Sequence, residues 1–135
     1  MYERSQRLLR GKPVYLDRAQ RIIAGQAFVE KLVELDTELL VFSLDACHYH
    51  ALARFPDQEV RMRVGRAKKN SSHLLRSSGL AGTVWAKKCR ALPVSDRRHQ
   101  LNVFSYIENH RLQDAWVWIF REGLYWLNRE NRKTP

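Results

Sequence analysis

Apolar and polar positions along the chain switch period several times, and each switch marks an element. From Asp17, a suitable N-cap, to about Asp36, Ile22, Ile23, Ala27, Val29, Leu32 and Val33 recur at three- and four-residue spacing. This predicts an amphipathic helix that packs on a sheet. Thr37–Leu44 and His48–Phe55 are apolar and β-prone, which predicts two strands or one long bent strand, with Asp45-Ala46 as the turn or bulge between them. Pro56-Asp57 ends that stretch, and a second helix is expected from about Gln58 to Ser77, stopped by Ser78-Gly79. Its apolar side is read as Val60, Met62, Val64, Ala67, Leu74 and Leu75. After a Gly79–Gly82 loop, Thr83–Val94 alternates as a strand, and Ser95 or Asp96 caps a helix reaching about His110. Ala115–Phe120 is short, aromatic and β-prone, and the Arg-rich end 121–135 is expected to fray.

With 135 residues and 44% hydrophobic content, the chain has material for one globular α+β domain with its own core. Charge sharpens the picture. The 24 Lys and Arg against 14 Asp and Glu leave a net +10, the electrostatic profile of a protein that meets phosphates, with nucleic acid as the default partner. No apolar run approaches the ~20 residues that span a bilayer and no signal peptide opens the chain, so no membrane partner is expected and the cytoplasm is the simplest address. Residues 1–12 carry Arg4, Arg7, Arg10 and Lys12 with little apolar patterning and read as a basic arm. Within the second helix, Arg61, Arg66 and Lys69 are candidates for backbone contact, as are Lys87 and Lys88 further on. The two cysteines, Cys47 and Cys89, form neither a disulfide framework nor a zinc knuckle and read as reduced and buried.

The candidate chemistry lies in Cys47-His48-Tyr49-His50 and in Tyr106 and His110. In a strand, His48 and His50 project to one face, because side chains alternate with period two. Cys47 would face the other way, which argues against a shared zinc site. On a helix, Tyr106 and His110 lie one turn apart, within a polar stripe that also holds His99, Asn102 and Asn109. Lys, Glu and Arg normally fill an exposed helical face; a phenol, two imidazoles and two amides suit metals, phosphates or bases. Two strand histidines and one helix histidine make a ligand set for a divalent cation, beside which a tyrosine hydroxyl becomes a competent nucleophile. The plain alternative is two structural strand histidines and a core tyrosine whose hydroxyl reaches solvent.

Three motifs in order extend this reading. His48-Tyr49-His50, Gly82-Thr83-Val84-Trp85-Ala86-Lys87-Lys88 and Tyr106-Ile107-Glu108-Asn109-His110 resemble the signatures of the HUH single-tyrosine transposases, most closely the REP-associated branch, over roughly residues 13 to 120. The resemblance implies a ferredoxin-like antiparallel sheet with helices packed on it, and binding of single-stranded or hairpin DNA. It further implies a Mg or Mn ion held by His48, His50 and His110, Tyr106 as nucleophile in nicking and strand transfer through a 5′-phosphotyrosine, and a homodimer. Family members open with a central first strand, whereas this chain starts close to its first helix, so the sheet is expected to lack that strand. A non-catalytic nucleic-acid-binding module, or a degenerate copy, is the alternative.

Overall fold

The structure is a computed structural model that describes residues 2–6, 15–56, 59–80, 85 and 90–120. Its elements follow the order β1 (Tyr2–Gln6), α1 (Arg18–Glu34), β2 (Glu38–Leu44), β3 (His48–Arg54), α2 (Val60–Ser77), β4 (Arg90–Leu92), α3 (Arg97–Glu108) and β5 (Trp116–Ile119). The five strands form one antiparallel sheet in the order β4-β1-β3-β2-β5. This is an α+β, ferredoxin-like arrangement with β5 added beside β2.

The first strand is present. Tyr2–Gln6, read from the sequence as part of a basic arm, pairs with β3 on one side and β4 on the other. Distant strands supply its partners, so it needs no apolar alternation of its own to form. Residues 7–12 and the tail 121–135 lie outside the described residues. So does half of the strand expected over Thr83–Val94; of the described half, Arg90–Leu92 is strand, whereas Trp85, Pro93 and Val94 are not.

The helices divide between the two sheet faces. On one face α1 and α2 cover Leu39, Phe42, Leu44, Tyr49, Ala51, Ala53 and Trp118. Phe28 of α1 is the hub, with its ring centroid 5.0 Å from Phe42, 4.8 Å from Tyr49 and 5.6 Å from Trp85. Such aromatic pairs add about 0.5–1.5 kcal/mol each beyond the area they bury. On the other face α3 packs through Ile107 against Val41, Leu52, Val117 and Ile119.

A bulge makes both layers apolar. The β2–β3 register shifts between Leu39 and Val41, so Leu39 shares a face with Phe42 and Leu44 while Val41 and Ser43 take the other. Asp45-Ala46, expected as a turn or bulge, forms the hairpin turn, and the bulge within β2 is a further feature. Asp17 caps α1 reciprocally with Gln20, accepting from its backbone N–H at 2.8 Å while the Gln20 Oε1 accepts from Asp17 N–H at 2.9 Å.

The buried stripes are also rotated from those expected. Ile22 and Val33 of α1 and Met62 and Leu74 of α2 are exposed, while Gly25 and Phe28, and in α2 Arg63 and Lys68, are buried. Arg63 Nη1 donates to Thr37 Oγ1 at 3.4 Å, and Lys68 Nζ sits 5.6 Å from the Tyr49 ring centroid. Two of the cations of α2 therefore serve the core rather than a ligand.

Candidate active site

The β2–β3 turn sets the first half of the site. Asp45 Oδ1 accepts the backbone N–H of Cys47 at 2.7 Å and of His48 at 2.6 Å, and Asp45 N–H donates to the His48 carbonyl at 2.9 Å. An Asp that bonds the backbone two and three residues on replaces the pairing that a tight turn removes. From this anchor β3 alternates. Tyr49 enters the α1/α2 core, while His50, 3% exposed, takes the α3 face with Leu52. His48 begins the strand half-buried, its Nδ1 3.7 Å from Asp45 Oδ1. Cys47 is free and half-buried rather than buried, and Cys89 lies outside the described residues.

α3 brings the second half. Asp96 is its N-cap and accepts from His99 N–H at 2.8 Å, while His99 Nδ1 accepts from Ser95 N–H at 3.1 Å. His99 is therefore spent on the helix start. Ile107, fully buried, fixes the rotation of α3, and its neighbour Tyr106 stands at the rim, 52% exposed. The helix then tightens into a 3-10 turn over Asn109–Gln113, closed by Asp114 in the left-handed region at φ 66°. There His110 Nδ1 lies 2.8 Å from the Tyr106 carbonyl oxygen. A carbonyl only accepts, so Nδ1 carries the hydrogen, and in the neutral ring Nε2 carries the lone pair.

These elements converge. Ring centroids are 4.6 Å apart for His50–His110, 4.9 Å for Tyr106–His110 and 5.7 Å for His50–Tyr106. The Tyr106 hydroxyl makes no hydrogen bond to the described residues and is open to an incoming group. His48 is on the same strand face but outside this ring cluster. Among the described residues, no group of three or more His, Cys, Asp or Glu is placed to hold a metal ion, so the full set of His48, His50 and His110 is not gathered. What is gathered is two imidazoles and a phenol. Imidazole donors suit Fe, Ni, Cu and Zn, whereas Mg and Mn favour oxygen ligands, so an ion of either kind here would take oxygen from phosphate or water beside the two rings.

The candidate DNA contacts fall elsewhere. Arg61, Arg66 and Lys69 are exposed on α2, across the sheet from α3. Arg66 and Lys69 line a cleft with Lys31, Asn70, His73 and Arg76, and Arg61 is not in its lining. Lys87 and Lys88 lie outside the described residues.

Sequence reading did not single out Arg90, and took Arg4 only as a charge on the arm. Strand register places Arg90 opposite Arg4, Arg4 opposite His50, His50 opposite Ser43 and Ser43 opposite Val117. Two arginine positions thus share a cross-strand row with a site histidine. The available signal was the charge itself; its position depends on pairings that no local pattern encodes. No family model, curated protein or solved structure matches the chain. No described helix is long and apolar enough to cross a membrane.

Proposed function

We propose that the protein is a metal-dependent DNA nickase or strand transferase acting on single-stranded or hairpin DNA, with Tyr106 as nucleophile. The observation that carries this reading is the convergence of His50, Tyr106 and His110 on one sheet face, with the phenol exposed. Its oxygen bonds to phosphorus, the phosphorus–O3′ bond breaks, and the departing O3′ takes up a proton while the phenol gives one up. The strand is left with a free 3′ hydroxyl and a 5′-phosphotyrosine. Attack by a 3′ hydroxyl on that ester reverses the balance, rejoins DNA and restores the phenol, so no nucleotide cofactor is required. A Mn or Mg ion, which the resemblance implies, would be held by His50 and His110 and would polarise the phosphodiester and offset the charge that develops on it.

The cross-strand row of His50 also holds the Arg4 and Arg90 positions, and arginine is the residue that pairs bidentately with phosphate. Tyr106 is held by its helix rather than a loop, which keeps the nucleophile in place without substrate. The same reading locates the protein in the cytoplasm with its DNA and, by resemblance to the HUH family, as a homodimer.

A second reading, a non-catalytic nucleic-acid-binding module, is favoured by the position of Arg66 and Lys69 on the opposite face from Tyr106. Labelled hairpin and single-stranded DNA incubated with Mn distinguishes the two. A covalent protein–DNA adduct on a denaturing gel, lost in Tyr106→Phe with stability unchanged within about 0.5 kcal/mol, is expected. Binding with no adduct from the native chain leaves only the binding module.

A further inference from the structure

The cleft between α1 and α2 belongs to neither sheet-bound histidine nor to Tyr106. It has a volume of about 360 Å³ and is lined by Lys31 from α1 and by Arg66, Lys69, Asn70, His73 and Arg76 from α2. The α2 residues recur at three- and four-residue steps, which puts them on one stripe. That stripe runs about 15 Å along the axis at 1.5 Å per residue. Asn70 Nδ2 donates to the Ala27 carbonyl at 3.0 Å and ties the two walls together. Arg66, Lys69 and Arg76 form no ion pair with any described residue, and only Lys31 is offset, by Glu34 at 3.0 Å. Three uncompensated cations held side by side repel one another, an arrangement that a bound polyanion relieves.

We propose that this cleft holds the phosphate backbone of a nucleic-acid duplex, separately from the strand-cutting site. It rests on the proposed function only in the choice of nucleic acid as the polyanion. Duplex is favoured over single strand by what the lining lacks. Unpaired strands are held by bases stacking on aromatic side chains, and no Phe, Tyr or Trp is among the described lining residues. A row of cations without stacking groups reads backbone, not bases. The sheet separates this cleft from Tyr106, so a duplex stem docks on one face while the strand to be cut reaches the other.

Fluorescence anisotropy with a labelled blunt DNA duplex, titrated at several salt concentrations and against a single strand of equal length, tests this. The combined variant Arg66→Gln, Lys69→Gln, Arg76→Gln is expected to bind duplex at least tenfold more weakly. The slope of log K against log salt should become shallower by about three, since each lost phosphate contact removes about one unit. Glu34→Gln frees Lys31 and is expected to tighten binding roughly threefold, a gain that misfolding cannot mimic. Duplex binding is read separately from adduct formation, so a native chain that binds duplex but forms no adduct overturns only the strand-cutting chemistry. Unchanged affinity and slope in the triple variant overturn the proposal, as does tighter binding of the single strand than of the duplex.

Discussion

Replacing Gly25 by alanine places one methyl group where the fold has no room for it. A Cβ built at Gly25 would lie 2.3 Å from Trp116 Cε3, 2.6 Å from Cζ3 and 3.0 Å from Cδ2. Carbon atoms rest at about 3.5–4.0 Å, so the overlap exceeds 1 Å at the nearest atom. The indole is rigid and sits edge-on to Phe42 at 6.1 Å between centroids, so it has little freedom to retreat. Overpacking of this kind costs about 1–3 kcal/mol, while alanine in place of a helical glycine returns about 0.5–1 kcal/mol. The net expectation is a loss of up to about 2.5 kcal/mol, centred on about 1 kcal/mol, or a Tm lower by a few degrees for a domain of this size.

Gly65, on the exposed side of α2, meets nothing within 4 Å, so Gly65→Ala should stabilise by about 0.5–1 kcal/mol. Urea and thermal unfolding followed by circular dichroism measure both variants. Adding Trp116→Leu to Gly25→Ala should recover part of the loss, which a double-mutant cycle isolates. Gly25→Ala matching or exceeding the native chain in stability, with Trp116 in place, refutes the close approach of α1 to β5.

Ile107→Ala should cost about 2–4 kcal/mol in urea unfolding, because its fully buried side chain joins α3 to Val41, Leu52, Val117 and Ile119. Adduct yield should fall with it, as Tyr106 loses its fixed rotation. The Asp114 carboxyl is held below its ordinary value of 3.8 by hydrogen bonds from Arg18 and then Arg21. The ionised form is thus favoured by folding. The stability it contributes is complete above 3.8 and is lost as pH falls through the lower folded value. Asp114→Asn should therefore be less stable than the native chain near neutrality and converge on it in acid, as thermal unfolding across pH will show.

Much of the architecture is written in local pattern. The Asp17 cap, the two strands around the Asp45 turn, the Asp96 cap and the aromatic β5 segment follow from spacing and turn chemistry, which act over a few residues. The site was legible for the same reason. The two-residue step from His48 to His50 and the one-turn step from Tyr106 to His110 each fix a shared face, and chemistry-bearing groups on such faces mark a candidate site. Long-range pairing decided the rest. Tyr2–Gln6 becomes a central strand only because β3 and β4 flank it, and this alone places Arg4 in the row of His50.

The bulge at Leu40 shows the same division of labour. Its neighbours are uniformly apolar, so only packing against α1 on one face and α3 on the other assigns Leu39 and Val41 to different layers. Likewise all the cations of α2 read alike as letters. Burial turned Arg63 and Lys68 inward and left Arg66, Lys69 and Arg76 lining the cleft, because the rotation of a helix is set by the surface it covers, not by its charges. Residue spacing thus determined which groups share a face, and the sheet determined which faces meet, through contacts between segments too far apart in the chain for any local period to link.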